Sequence, residues 1–192
     1  EELSDKLEAK NSNLMKAIVT ESERVGTIFE QFLDFSKINQ MQFSRLSLND
    51  IISEIVFLLE NSHALDGIRL KDEYSAHDHM FEGDLNRIKQ VFWNIIRNAL
   101  DAMPDGGLLT IKTAGNERNV TIEFSDTGAG IEKKNVKDIF TPFASSKKEG
   151  SGLGLVIANK IVENHHGSID VHSKKGYGTV FKIILPKKQY EE

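Results

Sequence analysis

Between Leu14 and Ile38 the apolar positions Leu14, Ile18, Val25, Ile28, Phe29, Phe32, Leu33, Phe35 and Ile38 recur at steps near three and four, the period of one face of an α-helix. The pattern predicts one long amphipathic helix from Leu14 to about Gln40, with an apolar stripe that has no local partner. Residues 1–13 are polar and charged, reading as a loop, and any of Asn11, Ser12 and Asn13 could cap the helix start. "SLNDIISEIVFLLENSHAL" then predicts a second helix over about 49–64, capped by Asn49 or Asp50, and "GIRLKDEY" alternates like a strand. A third helix is expected from Asp84 to Met103, with "GD" before it and "PDGG" after it as start and stop chemistry. "LLTIKTA" and "NVTIEFS" read as strands of a hairpin turned by "GNER", the second running into "DTGAG" at 126–130. A short helix is expected over Lys133 to Ile139. A helix then opens from the glycines of "EGSGLGLVIANKIVENHHG" and should end at His166, with Gly167 as the left-handed residue behind it. "SIDVHS" and "GTVFKIILP" supply two last strands. The pattern changes near Phe43 to Ser47, from one solitary helix to a mixed α/β unit, which places the domain boundary between residues 1–44 and 45–192.

Composition narrows the functional classes. The 192 residues are 39% hydrophobic and 28% charged, ordinary for a globular chain. With 24 Lys and Arg against 29 Asp and Glu, the net charge is −5. The basic residues are scattered, apart from "SSKK" and "PKK", so the footprint of a nucleic-acid binder is missing. No cysteine is present, which excludes disulfides, thiolate catalysis and cysteine-held zinc or iron–sulfur centres. No apolar run reaches the roughly 18 residues of a membrane span, and no charged-then-apolar leader is evident. The expectation is a soluble, cytoplasmic chain without membrane contact of its own, possessing neither internal repeats nor low-complexity tracts.

Three short segments carry candidate chemistry. Gly150, Gly152 and Gly154 lie at the mouth of a helix, where free backbone N–H groups and the positive end of the helix dipole attract an anion such as phosphate. The loop lacks the Gly-Lys-Ser/Thr ending of a Walker A loop and the spacing of a dinucleotide fingerprint; the bland alternative is a flexible loop that uses glycine for turning. In "DTGAG", Asp126 could accept a hydrogen bond from an exocyclic amine, while Gly128 and Gly130 permit close backbone approach, although Asp and Gly are also common turn residues. Together the two loops suggest one nucleotide held from both ends. In "NIIRNALDA", Asn94 and Asn98 share one helix face with Asp101 near it. An amide oxygen is a neutral, hard ligand suited to Mg²⁺, against the alternative of two solvent-facing asparagines.

Asn-x-x-x-Asn, Asp-x-Gly-x-Gly, "IFTPF", Gly-x-Gly-Leu-Gly-Leu and "GYGTVF", in this order from Asn94 to Phe181, resemble the N, G1, F, G2 and G3 boxes of the histidine-kinase catalytic domain. The resemblance implies the ATP-binding fold shared with DNA gyrase, HSP90 and MutL: an α+β, two-layer sandwich with a mixed sheet, helices on one face and a mobile lid. Upstream, "ESERVGTIFEQFLDFSKI" resembles the second helix of the dimerisation and phosphoacceptor hairpin. The resemblance implies that Asp126 binds the adenine amine, Gly128 and Gly130 shape the pocket wall, and Thr179 lies near the adenine. It places Asn94 beside the phosphates with Asp101 in the same site, Asn98 on Mg²⁺, and the amides of Gly152, Leu153 and Gly154 around the phosphates. Residues 144–151 would form the lid, anchored by Phe140 and Phe143, with Lys147 reaching the terminal phosphates. Implied partners are ATP or ADP, a response regulator receiver domain and, in an intact kinase, a second copy of the chain.

One departure outweighs the others. These kinases phosphorylate a histidine in a motif like His-Glu-x-x-Asn-Pro-Leu, whereas the first histidine here is His63 and nothing before it resembles that motif. The reading is a piece that begins after the first hairpin helix, with a natural acceptor-less protein as the alternative. Ala144 is a second departure, since related kinases often carry a larger residue after "TPF". Among the remaining histidines, His77 and His79 read as surface polar residues rather than a metal pair, His165 and His166 as helix-end residues, and His172 as solvent-facing on a strand. Trp93 and Phe92 read as core. Two rivals remain: a gyrase-type ATPase, which would need a glutamate where Asn94 stands to activate water, and a non-enzymatic, nucleotide-dependent interaction module.

Overall fold

A computed structural model of the chain describes residues 41–75, 79–142 and 152–189, and upstream of these positions 14, 15, 18–22, 25, 26 and 29. The upstream positions are helical and exposed, matching the start of the helix expected from Leu14. The remainder of that helix, the loop over 1–13, His77 and the lid over 144–151 with Phe143 and Lys147 lie outside the described residues.

The element order is β1 (Ser44–Ser47), α1 (Leu48–Glu60), a 3₁₀ turn (His63–Leu65), β2 (Ile68–Glu73), β3 (Met80–Gly83), α2 (Leu85–Asp101), β4 (Gly107–Gly115), β5 (Asn119–Asp126), α3 (Gly154–Asn164), β6 (Ser168–Lys174) and β7 (Gly178–Pro186). A five-stranded sheet runs β2-β4-β5-β7-β6, and β1 pairs β3 in a two-stranded one. The larger sheet is mixed, because β2 lies parallel to β4 while the other neighbours are antiparallel. Alternation along the strands sets one face toward the helices. Ile111 pairs with Phe124 and Phe124 with Phe181 in register, and all three are buried. The intervening Thr110, Lys112, Thr121 and Glu123 are more accessible. The helices complete one core through Ile52 and Ile55 of α1, Ile88, Phe92 and Ile95 of α2, and Ile157 and Ile161 of α3. Phe92 meets Phe124 at 5.5 Å between ring centroids, joining helix and sheet layers. This is the α+β sandwich expected.

Several boundaries move for local reasons. Helix α1 starts behind Ser47, whose hydroxyl accepts from the Asp50 N–H at 3.0 Å, rather than behind Asn49 or Asp50. Asn49 is engaged instead with Thr113 Oγ1 at 2.9 Å. The helix stops at Glu60, where Asn61 Nδ2 donates to the Phe57 carbonyl at 2.7 Å, and a separate 3₁₀ turn follows. Asp84 caps α2 as anticipated, accepting from the Arg87 N–H at 3.1 Å. Trp93 does not join the core: Phe92 is fully buried while Trp93 is 36% exposed, because Ile88, Val91, Phe92, Ile95, Ile96 and Ala99 already fill the inward stripe.

The helix expected over Lys133 to Ile139 is absent. Asn135, Asp138 and Thr141 donate to residues three back, giving successive turns without a helical ladder, since so short and charged a stretch has too little apolar surface to pack. The end of α3 also differs. The helix stops at Asn164, and His166, not Gly167, takes the left-handed conformation at φ 53°. The Gly167 N–H reaches the Val162 carbonyl at 2.9 Å and the His166 N–H the Glu163 carbonyl at 2.8 Å, the two bonds of a Schellman motif. Gly167 serves another need: a Cβ there would run into the Ile184 carbonyl and lie 2.8 Å from Leu185 Cδ2.

Candidate active site

Asp126 is the last residue of β5, placed on the inward face by the same alternation that buries Phe124. It is 6% exposed, and its Oδ1 accepts from the Gly128 N–H at 2.8 Å and the Thr179 N–H at 3.3 Å. A buried carboxylate is stable only with such charge-assisted donors. Thr179, opposite Asp126 in the β5–β7 register, is buried too, with Oγ1 2.9 Å from Ser173 Oγ. Ser173 also accepts from the Ile131 N–H at 2.8 Å, so one hydroxyl pins the loop after Asp126 to the edge strand β6.

The glycines of this loop answer to the protein's own backbone. A Cβ on Gly128 would lie 2.5 Å from the Ala102 carbonyl oxygen, the group that accepts from the Ala129 N–H at 3.0 Å. Gly130 has φ 63°, and a Cβ there would run into the Lys174 carbonyl. The loop is thereby held between the C-terminal end of α2 and the β6–β7 turn.

Asn94 and Asn98 sit half-buried on one face of α2. Asn94 Nδ2 donates to the Gly154 carbonyl at 3.0 Å and Asn98 Nδ2 to the Asn94 carbonyl at 2.8 Å. The first bond sets the start of α3 against the asparagine face. That start has Gly152 at φ 69°, then Leu153, buried at 6% exposure. Leu153 occupies the cap position and turns inward, and its own side chain makes no cap hydrogen bond, at the positive end of the helix dipole where backbone N–H groups attract an anion. Asp101, the last residue of α2, is exposed.

Helix α2 thus connects two groups of candidate residues. Asn94 meets the start of α3 at Gly154, Asn98 lies one turn further on, and Asp126, Gly128, Gly130 and Thr179 gather near Ala102, about 12 Å beyond Asn94 at the rise of an α-helix. Lys147 lies outside the described residues, while Phe140 is partly buried. Ser173 and Ala102 were missed by the sequence reading. Ser173 belongs to no motif and Ala102 only closes "NIIRNALDA"; each acts through a partner far along the chain that the motif does not record.

The histidines are placed mostly by burial. His79 is 7% exposed with Nε2 3.0 Å from Ser75 Oγ, which corrects its reading as a surface residue. His172 is exposed, as expected. His165 closes α3, with Nδ1 2.7 Å from the Ile161 carbonyl, but is fully buried. Burial pushes its pKa below 6.5, against opposing contributions from the Ile161 carbonyl and the Asp84 charge. Among the described residues no group of three His, Cys, Asp or Glu could hold a metal ion, and no helix is long and apolar enough to cross a membrane.

Residues 83–189 match a family model described as histidine kinase-, DNA gyrase B- and HSP90-like ATPase. Sporulation kinase C of Bacillus subtilis (strain 168) is 36% identical over 172 residues, 89% of this chain and 40% of the relative. The catalytic domain of histidine kinase ThkA superposes with a TM-score of 0.71 at 33% identity, over 78% of this chain and all of that one. ThkA in complex with the response regulator protein TrrA matches with a TM-score of 0.75 at 31% identity, over 88% of this chain and 49% of that one. The chain spans less than half the length of the curated relatives it matches. Sandwich, box order and family match coincide over the same stretch, and the chain belongs to the histidine kinase-, DNA gyrase B- and HSP90-like ATPase family.

Proposed function

We propose that the chain is the ATP-binding catalytic part of a sensor histidine kinase, passing the γ-phosphoryl group of Mg-ATP to a histidine for relay to a response regulator aspartate. The observation that carries the reading is the buried Asp126 carboxylate, oriented by the Gly128 and Thr179 N–H groups and suited to accept from an adenine amine. Gly128 and Gly130 form the wall beside it, and Thr179 lies against the base. Further back along α2, Asn94 and the amides of Gly152, Leu153 and Gly154 take the phosphates, Asp101 at the C-terminal end of the helix belongs to the same nucleotide site, and Lys147 reaches the terminal phosphates.

Asn98 suits Mg²⁺ by its donor chemistry: its amide nitrogen is anchored on the Asn94 carbonyl, which fixes the side-chain orientation, and one neutral oxygen is the modest protein contribution Mg²⁺ commonly takes. The ion would supply charge neutralisation on the phosphates. The chain's own part is positioning, with the base at Asp126 and the phosphates at the start of α3 setting the line of transfer. Asn94 cannot remove a proton from water, which ranks the hydrolytic rival lower. The histidine acceptor would lie on a dimerisation hairpin, of which residues 1–44 represent the loop and second helix, and homodimerisation through that hairpin belongs to the same proposal. The complex formed by ThkA supports a receiver domain as the downstream partner.

The test is calorimetric titration of Mg-ADP and a non-hydrolysable ATP analogue into the wild-type chain and Asp126→Asn. Binding by the wild type that the substitution abolishes is expected. A folded wild-type chain that binds neither nucleotide overturns the reading.

A further inference from the structure

Helices α2 and α3 run antiparallel and are tied at two levels. One tie, Asn94 Nδ2 to the Gly154 carbonyl at 3.0 Å, belongs to the site above. The other lies at the far ends of both helices, where the Asp84 N–H donates to His165 Nε2 at 3.0 Å. The opposite ring nitrogen, Nδ1, faces the Ile161 carbonyl at 2.7 Å. These two partners settle the ring chemistry: Nδ1 carries the proton and Nε2 is the acceptor. His165 therefore bridges the last turn of α3 to the first backbone N–H before α2, inside the core.

The same junction holds the segment leading in from upstream. Asp84 Oδ2 accepts from the Gln42 N–H at 2.8 Å while its Oδ1 caps α2. The Phe43 ring stands edge-on to the His165 ring at 5.1 Å between centroids. The fit is tight, since a Cβ on Gly83 would lie 3.4 Å from His165 Cδ2 and 2.9 Å from Phe81 Cε2. Residues 42–43 lead into the sandwich immediately before β1, so a displacement of that connection acts directly on Asp84 and His165. From there α3 is a stiff rod to Gly154, about 16 Å away at 1.5 Å per residue.

We infer that His165 is a positioning residue for the phosphate-facing start of α3, coupling the placement of the Gln42–Phe43 connection to the Asn94–Gly154 contact through the α2–α3 pair. The inference rests on the proposed nucleotide site, but the coupling itself is a property of the nucleotide-free chain. A shift of the connection biases how α2 and α3 sit in register and, through it, the geometry of the first turn of α3. Among the described residues His165 touches no candidate nucleotide-binding residue and acts through the two helices.

The test compares His165→Phe, which keeps a ring but loses the acceptor, with His165→Gln, which keeps both an acceptor and a donor. Hydrogen exchange of the Gly154 to Ile157 amides is measured without nucleotide, and Mg-ADP affinity by calorimetry well below the unfolding midpoint. His165→Phe is expected to speed exchange at these amides and weaken affinity about tenfold, within the usual range of coupling between sites. His165→Gln is expected to restore both within about twofold. A folded His165→Phe chain with unaltered exchange and affinity, and only a lowered midpoint, overturns the inference. Should His165→Phe not fold, Phe43→Leu decides: altered exchange at Gly154 to Ile157 supports the coupling, and unaltered exchange overturns it. Failure of the wild type to bind Mg-ADP would refute the nucleotide reading alone, because the exchange measurements need no nucleotide.

Discussion

Single residues in this protein are constrained by what their atoms meet across the chain. Gly128 illustrates the point: its motif suggests room for a ligand, yet a Cβ would lie 2.5 Å from the Ala102 carbonyl oxygen. Gly128→Ala must shift the end of α2 or the loop, and a loss of about 1–3 kcal/mol is expected by urea denaturation, the usual range for overpacking a tight site. His165 makes a second prediction. Its folded pKa lies below 6.5 through burial, so below about pH 6.5 the unfolded chain binds the extra proton and the native one resists it. Stability is full above that pH and falls as pH drops through the unfolded value toward the folded one. His165→Gln is expected to flatten the loss in urea midpoint between about pH 7 and 5.

At the scale of elements, the ends are more informative than the middles. The stripe of α2 was plain in the sequence because a 3.6-residue period needs no knowledge of neighbours, and its Asp84 cap was plain because capping is local chemistry. The end of α3 was not, since Gly167 offered an obvious left-handed residue. That glycine is required against the Ile184 carbonyl, so the turn falls one position earlier on His166 at φ 53°. A left-handed L-residue costs about 1–2 kcal/mol, whereas glycine loses about 0.5–1 kcal/mol more entropy on ordering. His166 is exposed and gives up little packing. His166→Gly is accordingly expected to raise stability by about 0.5 kcal/mol, visible as a higher urea midpoint at unchanged slope.

For the molecule as a whole, the proposed site joins β5, β7, α2 and the start of α3, so occupancy should stabilise the fold as a unit. Mg-ADP at about a hundred times its dissociation constant is expected to add about 2.7 kcal/mol by mass action, read as a higher thermal midpoint in wild type and none in Asp126→Asn. The upstream helical positions Leu14, Ile18, Val25 and Phe29 are all more than half exposed. An apolar stripe of this kind is suited to a helical bundle, and the mass from light scattering is expected to rise with concentration; a monodisperse monomer throughout would count against the proposed dimer.

Periodicity and local chemistry in the sequence determined the five strands of the larger sheet, the three helices of the sandwich, and the asparagine, aspartate and glycine motifs, because each is written in residues a few positions apart; the short β1–β3 pair carries no such pattern. Tertiary structure decided the rest. Ser173 meets Ile131 and Thr179, Ala102 meets Gly128, and His165 meets Asp84. It also turned Trp93 outward, buried His79 and left 133–140 as turns. The physical reason is the same throughout: a hydrogen-bonded or close-packed pair is defined by distance in space, and no local pattern records which distant backbone will arrive beside a given side chain.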